Sequence, residues 1–427
     1  MSADFGTHET IEGRTPDQPV RVEERIGSLD FTRGIAILGI LLANIVAFGQ
    51  PMTAYMYPDA FLVPPNDDGG WMWLTQFVLV DGKFRGLFTL LFGAGMVLFM
   101  ERTWARGGTR WVQARRLFWL ALFGAAHLFL VWRGDILFSY AICGFVALLC
   151  MRWEAKTQLT LGLLGFVAGS ILYALSMGPL AFVADTPMGE QAAFAEMRAN
   201  LEQSERDDLA DGNLEAALIQ SGDYAGFASH NIARHASDVP FFLFLWLGET
   251  LPLMLVGMGL YRMGFFSGGM SQRKLLRWGA LGIVVGGALT LLIGLWTKGN
   301  GLTYYGTLAA FVGFSPLPRL PMILGYAAML VLIAPAANGW LGQRISAAGR
   351  TAFTNYLGTS ITMMLVFHGW AGGLFGRLDR PELYVVVAIA WAAMLLWPLP
   401  WLARYRFGPL EWLWRCLTYG KVFPLRR

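Results

Sequence analysis

The sequence predicts an all-α fold: a polytopic membrane helix bundle of about ten transmembrane helices with additional re-entrant or interfacial pieces. Hydrophobic residues make up 55% of the 427 residues and charged residues only 15%, whereas a soluble domain carries about 25% charged residues. The chain also holds 17 Trp and 30 Phe, which are typical of membrane interfaces. This composition excludes an ordinary soluble protein and a disordered one.

A spanning helix requires about 20 mainly apolar residues. Two other apolar pieces, Trp71–Val80 and Leu302–Phe314, are too short or too close to prolines for a clean span, and we expect them to be re-entrant or interfacial. The predicted spans are 29–49, 83–100, 117–132, 136–152, 158–183, 239–263, 278–297, 318–337, 352–376 and 383–403.

The positive-inside rule gives an orientation for these spans. Lys and Arg gather on one side of an alternating topology, and the opposite short segment, Gln50–Gly70, has neither. We therefore expect a multi-pass membrane protein with both termini cytoplasmic. The predicted parts are a cytoplasmic tail (1–28), a first transmembrane half (29–183), an extracytoplasmic loop or cap (184–238), a second half (239–403) and a cytoplasmic amphipathic tail (404–427).

Two segments outside the spans have distinct character. Asp185–Asp238 holds eleven acidic against three basic residues and contains amphipathic stretches, so we expect a helical cap, with disorder as the alternative. Phe407–Lys421 is amphipathic and rich in Trp and Tyr, which predicts a helix lying along the inner interface.

Ionisable residues at membrane depth need a partner or a function, because burying them in lipid costs at least about 2.5–3.5 kcal/mol. His127 falls eleven residues beyond Arg116, and Asp135 follows at the next turn. A carboxylate can fix the tautomer of an imidazole and keep it basic. A buried hydrogen-bonding His is the plainer interpretation.

Further polar residues are predicted to lie in two layers of the membrane, one near the outer face and one near the inner face. Asp81, Lys83 and Arg85 are either part of an outer site or a charged helix cap, and Asp30 with Arg33 could be an intrahelical ion pair near the inner surface. We predict catalytic roles for His127, Asp135, Lys83 and Arg85. The predicted substrate-binding residues are Asp30, Arg33, Asn44, Asp81, Asn355 and His368.

Other chemistries lack their motifs. The three Cys residues have no metal or disulfide spacing, so no metal site is expected. There is no Walker A, Rossmann, HExxH or GxSxG motif. Basic residues are confined to the loops flanking spans, which argues against nucleic-acid binding.

Several motifs nevertheless resemble a known family. RIGSLDFTRGIAILGILLANI, KFRGLFTLLFGAG, HLFLVWRGDILFSYAICG and GRTAFTNYLGTS followed by RFGPLEWLWRCLTYG are similar to the YeiB family of bacterial inner-membrane proteins, over about residues 25–421. The opening LDxxRG pattern also resembles transmembrane acyltransferases of the heparan-glucosaminide acetyltransferase type. Those proteins place a His before an Asp after the first span, whereas WMWLTQFVLVDGKFRG keeps the Asp and lacks the His.

The resemblance implies an acyltransferase that moves an acyl group from cytosolic acyl-CoA to a lipid or glycan acceptor at the outer face. On chemical grounds, and not from the resemblance, His127 oriented by Asp135 would be the general base or acyl carrier, and Lys83 or Arg85 would stabilise the oxyanion. No tightly bound cofactor is expected, and membrane lipids and a second copy of the chain are the expected partners. The alternatives are a transporter or flippase of a small or amphipathic solute, and an assembly or sensor protein.

Overall fold

The computed structural model describes residues 26–427. This part of the chain is built from helices and has no β-strand apart from an isolated bridge between Tyr405 and Arg426. The helices are α1 (Gly27–Gly49), α2 (Trp71–Leu79), α3 (Lys83–Ala105), α4 (Arg110–Leu130), α5 (Leu137–Leu149), α6 (Ala155–Asp185), α7 (Ala195–Ser221), α8 (Tyr224–His235), α9 (Val239–Arg262), α10 (Gln272–Gly299), α11 (Tyr304–Leu308), α12 (Pro316–Ile333), α13 (Trp340–Arg350), α14 (Ala352–Phe367), α15 (Arg380–Leu396), α16 (Pro398–Arg404) and α17 (Pro409–Tyr419).

Within residues 26–427, seven segments are long and apolar enough to cross a membrane. They contain α1, α2 with α3, α6, α9, α10, α12, and α15 with α16. The other three predicted spans correspond to α4, which begins with several arginines, and to the shorter helices α5 and α14. The protein is therefore an all-α polytopic membrane helix bundle, in which seven segments rather than ten meet the length and composition of a full span.

Close helix crossings rest on glycine, because small residues let two backbones approach in a membrane. A Cβ added at Gly257 of α9 would lie 1.9 Å from the Leu90 carbonyl oxygen of α3. One added at Gly93 would lie 2.1 Å from the Met254 carbonyl oxygen. Gly93 and Gly257 thus allow α3 and α9 to pack with their backbones in close approach.

Neither apolar piece expected to be re-entrant or interfacial stands apart from a span. Between α2 and α3 the chain breaks at Val80–Gly82, where Gly82 has a φ of 73°. The second piece forms α11 and a π-helical turn, Ala309–Phe314, that leads into α12. The first piece and α3 therefore form one interrupted apolar segment, Trp71–Ala105, whereas the second piece precedes the apolar segment that begins at Pro316.

The acidic segment folds into α7 and α8, which lie against one end of the bundle. Asn231 donates its side-chain amide to the Leu128 and Phe129 carbonyls at 3.1 and 3.0 Å, and Tyr224 donates its hydroxyl to the Leu130 carbonyl at 2.9 Å. The last carbonyls of a helix lack partners within the helix. The segment therefore completes the end of α4, and we call α7 and α8 the cap.

The C-terminal helix α17 packs on α4 and α14 at the opposite end of the bundle. The Glu411 carboxylate accepts hydrogen bonds from the Phe353 and Thr354 backbone amides, at 2.8 and 3.1 Å, and from the Thr354 hydroxyl at 2.5 Å. A carboxylate at a helix N-terminus satisfies free amides and complements the helix dipole. Glu411 thereby fixes the start of α14, which carries two residues of the site described next.

Candidate functional site

His127 and Asp135 form a direct buried pair. His127 Nδ1 lies 2.8 Å from Asp135 Oδ1, and the side chains are 1% and 0% exposed. Among residues 26–427, His127 Nε2 has no hydrogen-bond partner. Asp135 Oδ2 also accepts the Phe138 amide at 2.6 Å, which holds the carboxylate at the start of α5. The Asp135 carboxylate thus orients the imidazole through Nδ1, and Nε2 is available to bind a ligand.

Two aromatic residues flank this imidazole. The Tyr356 and Trp132 rings have centroids 5.3 and 6.4 Å from that of His127. The Tyr356 hydroxyl oxygen accepts the Ile136 amide at 3.1 Å. Its own proton has no acceptor among the described residues, so it can donate to a ligand.

Two neighbouring cavities share Trp132 as a lining residue, and Tyr356 lines the first of them. The first is a partly open cleft with about 260 Å³ of empty space, and it runs along α1 from Ile37 to Phe48, with Asn44, Tyr356 and Trp132 in its wall. It is mainly apolar. Eleven residues of helix correspond to about 16 Å. Its lining suits a small apolar group, and its wall includes Tyr356 and Trp132, whose rings flank His127.

The second cavity lies beneath the cap and is a partly open cleft with about 420 Å³ of empty space. It shares Phe48, Trp132 and Ser360 with the first, and His368 and Arg133 contribute polar groups to its wall. The Nδ1 atom of His368 is buried and has no hydrogen-bond partner among residues 26–427. Ligand sites are commonly apolar clefts with a few converging polar groups, and these paired cavities fit that description.

The second predicted polar group lies at the break between α2 and α3. Lys83 is fully buried and donates to the Phe77 carbonyl at 2.5 Å. Asp81 accepts from Gln76 at 3.1 Å and from Tyr55 at 3.4 Å. Asp81 and Lys83 are buried inside the bundle. They therefore do not form the exposed charged helix cap that was the alternative interpretation of the sequence.

Arg85 belongs to a buried ion network that joins three helices. Its guanidinium lies 2.6 Å from Glu249 on α9, whose second oxygen lies 3.1 Å from Arg319 on α12. Arg319 also donates to the Phe311 carbonyl at 3.0 Å. The contacts of Lys83 and Arg85 are therefore with this break region and not with the His127 pair, and the structure gives their predicted oxyanion role no geometric support.

The inner predicted residues serve helix packing. Arg33 lies 3.1 Å from Asp30, which is the intrahelical ion pair that their spacing suggests. Asn355 donates to the Ala348 carbonyl at 3.2 Å and accepts the Trp397 indole at 2.8 Å. Its amide thus links α13, α14 and the end of α15. None of the residues Asp30, Arg33 and Asn355 lines either cavity.

Sequence reasoning missed several residues of these sites. Tyr356 and Trp132 have the sequence context of ordinary membrane aromatic residues. Arg319 lies between prolines at the start of a predicted span, and no pattern distinguished it as a buried ion-pair partner. Asp211, His230 and His235 in the cap each offer one atom to a group within 4.8 Å and could hold a metal ion. The i, i+5 spacing of the two His residues was the one available signal.

Comparison with known proteins places the chain in a family. The model for the family described as "Protein of unknown function (DUF418)" matches residues 260–421. A protein of Escherichia coli strain K12 described as "Uncharacterized protein YeiB" is 34% identical over 94% of this chain and 98% of its own length. "Uncharacterized protein YxaH" of Bacillus subtilis strain 168 is 31% identical over 96% of this chain and 98% of its own.

No solved structure matches the chain. The full-length agreement with the two bacterial relatives covers the bundle, the cap and the C-terminal helix together. The chain therefore belongs to the YeiB family.

Proposed function

We propose that this protein is a membrane acyltransferase that carries an acyl group from cytosolic acyl-CoA to an acceptor hydroxyl or amine at the opposite face. The observation that carries the proposal is the buried Asp135–His127 pair. Its Nε2 atom has no hydrogen-bond partner among the described residues. The two aromatic residues that flank His127 line neighbouring cavities, Trp132 both of them and Tyr356 the first.

In the proposed reaction the acyl chain occupies the apolar cavity along α1. The acceptor binds under the cap. His127 Nε2 takes the proton of the acceptor group as its oxygen or nitrogen attacks the thioester carbonyl. The tetrahedral intermediate then breaks its C–S bond, and the CoA thiolate takes the proton back from the imidazolium.

Two residues support this chemistry. The Asp135 carboxylate beside Nδ1 keeps that proton in place and stabilises the imidazolium as it forms. Tyr356 replaces Lys83 and Arg85 as the proposed oxyanion donor, because its hydroxyl is in the cavity wall and its proton has no acceptor among residues 26–427. Arginines at the inner face would bind the CoA phosphates, since guanidinium binds phosphate well.

The test is to incubate purified protein with radiolabelled acetyl-CoA and a membrane extract, and to follow label into lipid or glycan. His127→Ala and His127→Gln should both lose about 10²–10⁴-fold in rate, because neither side chain can accept the proton. A structural His would give a different pattern, with Gln tolerated and Ala destabilising. Native protein that neither binds nor consumes acyl-CoA contradicts the proposal.

Transport of a small or amphipathic solute is the second candidate, and the break between α2 and α3 is what favours it. Interrupted membrane helices with buried charges are characteristic of transporter sites. Here the break adjoins Asp81, Lys83 and the Arg85–Glu249–Arg319 network. Solute uptake into proteoliposomes that is abolished by Glu249→Gln and unaffected by His127→Gln would favour this candidate.

A further inference from the structure

The cap holds a group of potential metal ligands that the proposed chemistry does not use. Asp211 projects from α7, and His230 and His235 project from α8. One ligand atom of each lies within 4.8 Å of the other two. His230 Nε2 is 3.1 Å from Asp211 Oδ1, and His235 Nε2 is 3.4 Å from Asp211 Oδ2.

The nitrogens of the two imidazoles have surroundings typical of metal-binding His residues. His235 Nδ1 lies 2.9 Å from Asp238 Oδ2, so this carboxylate can hold the proton on Nδ1 and leave the Nε2 lone pair facing the group. Ligating His residues commonly have such a carboxylate on their second nitrogen. His230 Nε2 is buried and has no hydrogen-bond partner among residues 26–427 despite its short distance to Asp211.

Arg133 supplies a positive charge at the same place. Its Nη1 lies 2.5 Å from His235 Nε2 and 3.8 Å from Asp211 Oδ2, and its Nη2 lies 3.1 Å from Glu215. A guanidinium cannot be deprotonated in a protein, so it competes with any bound cation. Its contact with Glu215 gives the side chain a second acceptor, at the wall of the cavity under the cap.

We propose that Asp211, His230 and His235 form a binding site for a divalent transition-metal ion of the zinc class, and that Arg133 is an internal cation competing for it. Two imidazoles and one carboxylate are ligands that zinc accepts. Calcium and magnesium prefer all-oxygen sites. Three protein ligands leave a fourth position of a tetrahedral ion to water.

Metal binding would tie α7 to α8 and shift Arg133 towards Glu215. Both of these residues are part of the wall of the cavity beneath the cap. Occupancy would therefore close the cap and change the charge that an acceptor meets at the cavity. The proposal does not depend on acyl transfer, because metal binding can be measured without any substrate.

The experiment is a calorimetric titration of the full-length protein in detergent with Zn²⁺, after removal of any affinity tag and treatment with EDTA. His8→Ala serves as the background, so that this further His of the chain does not contribute. Binding of about one ion per chain is expected. His230→Ala and His235→Ala should abolish it, and Asp238→Asn should weaken it by about 10–100-fold.

Arg133→Gln gives the sharpest result, because removing the competing cation should tighten Zn²⁺ binding while the stoichiometry stays at about one ion per chain. The matched control is Arg206→Gln, which removes an exposed cation of α7 that contacts Gln203 instead of this group. Affinity should not change there. Absence of binding to both the background protein and Arg133→Gln, or binding that survives both His substitutions, would overturn the proposal.

Discussion

The two nitrogens of His127 have different surroundings, and this difference defines the chemistry proposed for it. Nδ1 contacts the Asp135 carboxylate, whereas Nε2 has no partner among the described residues. Asp135 also performs a structural task, since its second oxygen accepts the Phe138 amide at the start of α5. The two tasks can be separated by substitution.

Asp135→Asn should preserve the fold and reduce acyl transfer. The Asn oxygen can still accept the Phe138 amide, because Asn and Asp are nearly equal at such helix starts. Its amide group would donate to His127 Nδ1, which forces the ring proton onto Nε2 and removes the base. We expect a rate loss of about 10²–10⁴-fold at nearly unchanged stability, measured with radiolabelled acetyl-CoA and thermal unfolding in detergent.

Asp135→Ala is the companion variant. It removes the helix-start hydrogen bond as well, so it should also lose about 0.5–2 kcal/mol of stability. Equal acyl transfer by Asp135→Asn and the native protein would contradict the orienting role of Asp135.

At the scale of the element, the interrupted helix formed by α2 and α3 depends on the backbone at Gly82. A positive φ is strained for any residue with a Cβ. A Cβ at this position would also lie 2.4 Å from Arg319 Nε. The break and the Arg319–Glu249 contact are therefore coupled through one small residue.

Gly82→Ala should destabilise the protein more than the conformational strain alone explains. Strain in the left-handed region costs about 1–2 kcal/mol, and displacement of Arg319 would leave Glu249 with fewer partners. Gly107→Ala is the matched control, since Gly107 has a φ of 76° and nothing within 4 Å of the added Cβ. The midpoint of thermal unfolding in detergent should fall further for Gly82→Ala, and equal shifts would show that Arg319 is free to move.

At the scale of the whole molecule, the cap and the arginine-bearing loops lie at opposite ends of the bundle. The loops before α4 and α10 and the helix α17 lie at one end, and α7 and α8 lie at the other. The positive-inside rule assigns the arginine-bearing end to the cytoplasm. The expected orientation thus places the cavity beneath the cap on the extracytoplasmic side.

Impermeant thiol labelling in intact cells should distinguish the two faces. The native Cys residues at 143, 150 and 416 are buried, so an added Cys dominates the signal. Ala210→Cys on the exposed face of the cap should react in intact cells, and Gln272→Cys at the start of α10 should react only after permeabilisation. The reverse pattern would overturn the cytoplasmic location of the termini.

Composition and periodicity alone determined the membrane class, the helical fold and most helix positions, because the bilayer demands long apolar segments with internal hydrogen bonds. The pairing of His127 with Asp135 was also foreseen, since only a tight turn separates them in the chain. Seven of the ten predicted spans meet the length and composition of a full span, whereas α5 and α14 are short and α4 begins with several arginines.

Only the tertiary structure decided which polar groups meet across distant segments. Arg85, Glu249 and Arg319 come from three separate helices. Around the first cavity, Asn44 comes from α1, Trp132 from the turn between α4 and α5, and Tyr356 from α14. Asp211 and His235 are brought together by the packing of α7 on α8. Such contacts depend on how helix faces are rotated towards each other, and apolar periodicity in one segment carries no information about the face of another.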